Sequence, residues 1–268
     1  MTPLRRIAAI VLRQAYIMRA SPARLFSTVA WVAIDIVLWG FITRYLNAVT
    51  SPGFDFIPVL LGAVLLFDFF TRVMHGVTTA FLEDVWSHNF LNVFASPVSI
   101  PEYVSGLVLS SVATSSVGLL AMLVLAKALF GLSFYAFGLP LVPFLLVLFL
   151  SGIALGIFGT ALVLRLGPAS EWLVWPIPAF ISPFAAVFYP VSALPGWMQD
   201  VSRLLPPAYV FEGMRAIVEG RPFPGTALLW SALLAVLYIL AASWFFARVH
   251  RRIVRTGLLA RYSAESVG

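Results

Sequence analysis

Apolar residues along the chain gather in six long segments separated by shorter polar stretches. A membrane-spanning helix needs about 20 consecutive, mostly apolar residues, and each segment meets that length. The predicted spans cover residues 26–47, 57–78, 103–127, 138–164, 172–191 and 225–247. The pattern therefore predicts an all-α integral membrane protein with six transmembrane helices, in which residues 1–268 form one membrane domain.

Composition agrees with that pattern and excludes a soluble domain. Hydrophobic residues make up 61% of the chain and charged residues only 10%. One soluble core of this size cannot bury so much apolar surface, so the excess must face lipid. The net charge is +6, but it is not spread over one face as in a nucleic-acid-binding protein, and we expect no nucleic-acid partner.

The basic residues instead indicate topology. Arginines are dense at both ends of the chain, before the first span and in the tail 248–268. By the positive-inside rule both termini are cytoplasmic, so the number of spans is even and the protein is a multi-pass protein of the inner, or plasma, membrane. With six spans, residues 79–102 also lie in the cytoplasm, whereas residues 192–224 lie outside.

Two segments outside the spans have a helical pattern. Residues 1–24 combine an apolar side with arginines around it, which predicts an interfacial helix; the alternative is a frayed basic tail. Residues 192–220 predict two short re-entrant helices at the outer face. On the second, Glu212 and Arg215 are three apart and can pair, either functionally or as an ordinary surface ion pair.

The predicted fifth span is irregular. It contains Pro176, Pro178, Pro183 and Pro190, and each proline removes a backbone donor and breaks the helical hydrogen-bond pattern. The segment therefore cannot be a regular helix, and its freed carbonyl groups must find partners in protein or water.

The segment 79–97 is unusually polar for this chain. Apolar and polar residues alternate there with helical spacing, which predicts a short amphipathic helix ended by Pro97. Its apolar anchors are Trp86 and Phe90, and its polar side carries Glu83, Asp84, Ser87 and His88. On periodicity alone the segment is either a docking helix for a partner or a plain connector. A capping box, Ser99 with Glu102, then starts the third span.

This polar segment resembles the coupling helix of ABC-2 type transporter permeases. The family pattern has a Phe, two Glu, Gly-Thr, leucines and Ser-Pro; Phe81, Glu83, Asp84 and Ser96-Pro97 match it. The chain departs from the pattern at His88-Asn89, where Gly-Thr is usual, so the subgroup and its substrate stay open. Residues 192–220 are similar to the outer re-entrant helices of the same family, with Leu194-Pro195, Leu204 to Pro206, and Glu212 to Arg215 in corresponding places.

The resemblance implies the membrane permease of an ATP-binding cassette exporter. The sequence itself has no Gly-Lys-Ser/Thr phosphate-binding loop, because its only lysine, Lys127, lies between alanines. ATP and Mg²⁺ are then bound by a separate ATPase subunit, and no cofactor is expected in this chain. The family pattern further implies a homodimer of permeases, contact with membrane lipid, and outward transport of an amphipathic or hydrophobic substrate, such as a drug, a lipid or a lipid-linked glycan.

Three charged residues fall inside predicted spans. Asp68 and Arg72 are one helical turn apart and either pair or let Arg72 extend to the membrane surface. Asp35 has no nearby opposite charge in its own span, which points to a partner in another helix or at a subunit interface. Three scattered histidines and the absence of cysteine give no reason to expect a metal site.

Two other functions fit the hydropathy pattern. An ion-driven secondary transporter would have broken helices in corresponding places of two halves, but only the predicted fifth span is broken. A membrane-embedded lipid-modifying enzyme would need ionisable groups clustered at one depth, and no carboxylate lies beside a histidine or serine in a usable pattern. We therefore expect a transport subunit without catalytic residues of its own.

Overall fold

The computed structural model describes residues 2–49, 57–87, 89, 92–93, 96–132, 138, 141–222 and 224–257, without the side chains of 22–25, 27–29 and 57. Within these residues the structure is helical and contains no strand, so the prediction of an all-α protein is confirmed. The long helices are α1 (Pro3–Ala20), α2 (Pro22–Val49), α3 (Gly62–Trp86), α4 (Ile100–Phe130) and α5 (Leu141–Leu166).

The remaining elements follow α5 and are mostly short. They are a 3-10 turn (Pro168–Leu173), α6 (Ile177–Ile181), a second 3-10 turn (Val191–Ala193), α7 (Gly196–Arg203), α8 (Pro206–Val218) and the long α9 (Gly225–Thr256). A π-helical turn, Ile57–Leu61, precedes α3.

Within the described residues, five helices are long and apolar enough to cross a membrane. These are α2, α3 with its π-helical turn, α4, α5 and α9. The predicted span 172–191 is not among them, because prolines divide it into turns and the five-residue helix α6. The prediction that this segment is not a regular helix is therefore confirmed, whereas the layout of six spans stays a prediction.

The irregular segment between α5 and α7 nevertheless follows most of α3. Its residues meet α3 in reverse order: Glu171 contacts Trp86, Trp175 contacts His75, and Phe188 contacts Phe67. From Phe67 to Trp86 a helix rises about 28 Å, close to the ~30 Å hydrocarbon core of a bilayer. The segment is thus antiparallel to α3 over a membrane-sized distance.

The centre of the fold is the contact between α3 and α5. A Cβ atom added to Gly152 would lie 2.8 Å from the Cβ of Val73, and one added to Gly156 would lie 2.7 Å from the Cβ of Val77. Only glycine permits so close an approach of two helices. Large side chains such as Phe70, Phe81 and Phe144 are fully buried around this contact.

The polar segment 79–97 differs from its prediction. Helix α3 does not end near residue 78 but continues to Trp86, so the first half of the predicted amphipathic helix is the end of α3. Ser87 follows in a turn, and Asn92 and Val93 are helical. His88 and Phe90 lie outside the described residues.

Helix α1 packs against α3 and α4 through specific contacts. A Cβ atom on Gly106 would lie 2.6 Å from Cγ2 of Ile10, which shows how closely α1 approaches α4. The Nε2 of Gln14 donates a 2.9 Å hydrogen bond to the carbonyl oxygen of Ala80 in α3. The alternative of a frayed tail therefore does not hold for residues 3–20.

Candidate functional site: a polar cavity among the membrane helices

A polar cavity of about 630 Å³ lies between α1, α2, α3 and α4. Its charged side chains are Asp35 from α2 and Asp68, Arg72 and Glu83 from α3. The remaining walls combine hydroxyl, amide and aromatic side chains, among them Gln14, Trp31, His75, Ser110, Thr114, Ser115 and Trp175. Such a concentration of polar groups between membrane helices is typical of a substrate or ion path.

The predicted pair of Asp68 and Arg72 is present. The Nε of Arg72 donates a 2.6 Å hydrogen bond to Oδ2 of Asp68, and both side chains are mostly buried. Arg72 therefore turns into the cavity and does not extend to the membrane surface. Asp35 is close enough to interact electrostatically with both residues, although it belongs to another helix.

The aromatic wall of the cavity is held by the irregular segment. The rings of His75 and Trp175 meet edge to face with centroids 4.8 Å apart, and Nε2 of His75 lies 3.3 Å from the carbonyl oxygen of Trp175. This contact gives one freed carbonyl group of the proline-rich segment a polar neighbour, as its sequence requires.

The cavity can hold an amphipathic molecule. Three carboxylates and one guanidinium line it, which favours a polar or cationic group in the middle, whereas tryptophan rings offer apolar surface beside them. The structure brings Asp35, Asp68, Arg72 and Glu83 together, although the sequence suggested Glu83 for a different surface.

The C-terminal end of α3 contains a buried ion pair that corrects one prediction. Asp84 is only 1% exposed; it pairs with Arg13 of α1 and accepts a 2.7 Å hydrogen bond from the Tyr103 hydroxyl of α4. The predicted exposed position of Asp84 is therefore wrong. An isolated carboxylate is costly to bury, but these two partners from neighbouring helices compensate for its desolvation.

A second ion pair ties α1 to α4 nearby. Arg6 lies 3.4 Å from the carboxylate of Glu102, which also accepts a 2.7 Å hydrogen bond from the backbone N–H of Ser99. The predicted contact between Glu102 and the start of α4 is thus confirmed. Arg6 and Arg13, which were predicted to flank the apolar side of an interfacial helix, instead form ion pairs that connect α1 to α4 and α3.

Trp86 is also placed differently from its prediction. Its side chain is 47% exposed, and Nε1 donates a 2.8 Å hydrogen bond to Oε2 of Glu171 in the first 3-10 turn. Trp86 is therefore not a buried apolar anchor but a polar link between the end of α3 and the irregular segment. Ser87, in contrast, is exposed as expected.

At the opposite end of α3, Glu212 and Arg215 of α8 support the irregular segment. They pair at 3.0 Å, and Arg215 is only 6% exposed, so this is not an ordinary surface ion pair. Arg215 donates to the carbonyl oxygens of Ala186 and Val187, and Glu212 accepts a 2.6 Å hydrogen bond from the N–H of Val191. Burial lowers the pKa of the Arg215 guanidinium, and the nearby Glu212 carboxylate offsets only part of that decrease.

Sequence reasoning missed Arg13, Gln14, Tyr103 and Glu171. Each forms its contact with a residue far away along the chain, so no local spacing marks it. A weak signal existed for Arg13 and Gln14, since both interrupt the apolar side of α1. Within the described ranges, no three potential metal-ligating side chains come together.

Comparison with known proteins identifies the family. Residues 41–244 match the model of the ABC-2 family transporter proteins, a range that contains the four middle predicted spans in full, nearly all of the last span and only the end of the first. A search of curated proteins returns no match. The matched range includes the irregular segment, the pair on α8 and the α3 and α4 walls of the polar cavity, whereas Gln14, Trp31 and Asp35 precede it. The chain therefore belongs to the ABC-2 transporter family and is a membrane component of an ABC transporter.

Proposed function

We propose that this chain is the permease subunit of an ABC exporter that moves an amphipathic or hydrophobic substrate out of the cytoplasm or the inner leaflet. The polar cavity carries this proposal, since Asp35, Asp68 and Arg72 lie together among membrane helices and such groups are costly there unless they serve a path. The family match supports a separate ATPase subunit as the energy source, and in our proposal that subunit binds ATP and Mg²⁺.

Both termini lie in the cytoplasm in our proposal. The irregular segment follows α3 in reverse over about 28 Å, so it acts as a sixth crossing next to the five regular helices. An even number of crossings agrees with the arginines at both ends of the chain. Residues 192–220, including α7 and α8, then lie at the outer face as the predicted re-entrant helices, and the membrane is the inner, or plasma, membrane.

The ATPase subunit docks, in this proposal, at the cytoplasmic turn at Ser87; the predicted contact residue His88 follows in the sequence and lies outside the described residues. Ser87 is exposed and directly follows the end of α3, so it offers a surface connected to the helix that lines the cavity. Glu83 lines the cavity itself, and a contact with the ATPase requires that the cavity open toward the cytoplasm. Asp84 is withdrawn from the docking surface because it is buried.

A second copy of the permease completes the site. Helix α2 carries large exposed side chains on either side of Asp35: Trp31 is 63% exposed and Leu38 is 54% exposed. Asp35 and Trp31 also line the cavity, so a partner packed on α2 would cover a charged group that is costly next to lipid. This arrangement favours a homodimer with the two cavities near its interface.

Reconstitution tests the proposal. The permease, purified with its ATPase subunit and placed in vesicles, should export an amphipathic dye in the presence of ATP, whereas the permease alone should hydrolyse no ATP. Asp35→Leu should abolish export, and Leu233→Ala, at an exposed position of α9 away from the cavity and from α2, should not. Full export by Asp35→Leu, or ATP hydrolysis by the isolated permease, would contradict the proposal.

A further inference from the structure

A second, basic cavity of about 320 Å³ lies at the C-terminal ends of α5 and α9. Three arginines surround it: Arg165 in the last turn of α5, and Arg248 and Arg252 on successive turns of α9. Its remaining lining is apolar, formed by Leu166, Phe245, Val249 and Ile253. The cavity thus combines a charged rim with an apolar floor.

Among the described residues, the three guanidinium groups have no acidic partner. No carboxylate belongs to the lining, and within the described part of the chain none of the three arginines forms an ion pair. Arg248 lies over the ring of Trp244, 5.4 Å from its centroid. Like charges held in one small cavity repel one another, so the site favours an anion, and phosphate matches the planar donors of arginine.

An apolar cavity of about 450 Å³ adjoins the basic one. The two share Phe245, whose ring stacks on Phe158 of α5 at 5.7 Å. The apolar cavity extends along α9 as far as Tyr238. From Arg248 to Tyr238 the helix rises about 15 Å, half of the ~30 Å hydrocarbon core and therefore the depth of one leaflet.

We propose that the two cavities together bind one anionic phospholipid. Its phosphate contacts Arg165, Arg248 and Arg252, and one acyl chain enters the apolar cavity past Phe245. Basic pockets between membrane helices are suited to anionic headgroups. An acidic protein segment would satisfy the arginines but would leave the apolar cavity empty, and the neighbouring Trp244 and Leu240 are more than 60% exposed, as lipid-facing side chains are.

Native mass spectrometry of the full-length protein tests the headgroup site. Permease in detergent is offered equal amounts of phosphatidylglycerol and phosphatidylcholine, and bound lipid is counted. We expect selective retention of one phosphatidylglycerol per chain, reduced about tenfold or more by Arg248→Gln combined with Arg252→Gln. The matched control is Arg251→Gln with Arg255→Gln, which removes the same charge with the same spacing on α9 but lies outside the cavity.

The acyl-chain site needs a separate variant. Ala241→Trp fills the apolar cavity without changing charge and should also reduce retention, whereas Leu240→Trp on the adjacent lipid-facing position should not. Glycerol 3-phosphate should not compete, because it has no acyl chain. The proposal would be overturned if the two double-arginine variants lost the same amount of bound phosphatidylglycerol, if both lipids bound equally, or if glycerol 3-phosphate displaced the lipid. So would unchanged lipid binding with loss of the ATPase subunit, which would assign the arginines to a protein contact.

Discussion

The hydroxyl of Tyr103 donates a 2.7 Å hydrogen bond to Oδ2 of Asp84, which joins the start of α4 to the end of α3. Arg13 of α1 pairs with the same carboxylate. Three helices therefore converge on one buried charge directly before the turn at which we propose that the ATPase subunit docks.

Removal of that charge should destabilise the fold strongly. Asp84→Ala leaves the Arg13 guanidinium without its counterion in a mostly buried position, a change that typically costs about 3–5 kcal/mol. Thermal unfolding of the detergent-solubilised protein, followed by tryptophan fluorescence, measures the effect. Asp200→Ala is the matched control, because Asp200 and its partner Arg203 are 71% and 69% exposed and such pairs contribute little. Equal midpoints for both variants would contradict the prediction.

The pair of Glu212 and Arg215 can be tested by substitution of Arg215. Arg215→Ala leaves the carbonyl groups of Ala186 and Val187 without their donors and should destabilise the protein by about 3 kcal/mol. Arg215→Lys should rescue only part of the loss, since a single ammonium group cannot reach both carbonyls and Glu212 as the planar fork does. A lysine variant as stable as the native protein would show that charge alone matters here.

The contact between α3 and α5 predicts a small but definite effect of one methyl group. In Gly156→Ala the new Cβ would lie 2.7 Å from the Cβ of Val77 and 2.9 Å from the carbonyl oxygen of Met74, so the helices must separate at a cost of about 1–3 kcal/mol. Gly196→Ala is the control, because its Cβ would meet no atom within 4 Å. The prediction is contradicted if both alanine variants have the same thermal unfolding midpoint as the native protein.

Docking of the ATPase subunit is best tested at Ser87. Reversal of Asp84 would disrupt the fold itself and therefore cannot report on docking. Ser87→Trp adds bulk to an exposed turn and should lower recovery of the ATPase subunit in a pull-down while thermal stability is kept. Arg221→Trp, at an exposed position beyond α8, should leave recovery unchanged. Full recovery with Ser87→Trp would place the docking surface elsewhere.

Periodicity and hydropathy predicted the helices well but not which polar residues are buried. Asp84 lies among polar neighbours in the sequence, and its spacing alone favours an exposed side. Its partner Arg13 is 71 positions away in the sequence, so a pattern of neighbouring residues cannot reveal the contact. Trp86 illustrates the reverse error, because its apolar ring suggested burial although its N–H group bonds to Glu171.

The prolines between residues 176 and 190 correctly predicted an irregular segment, but not its course. Hydropathy reports how apolar a segment is and says nothing about its direction relative to α3. Only the ordered contacts, from Glu171 at one end to Phe188 at the other, show that the segment runs along most of that helix.

The irregular segment also has a mechanical property that a helix lacks. A helix has a nearly constant rise of about 1.5 Å per residue, whereas extended backbone rises about 3.3 Å. Four residues that exchanged one form for the other would change the length of the segment by about 7 Å. The segment can therefore change its length while α3 keeps a nearly fixed length, and its two ends are held by the contacts with Trp86 and Arg215.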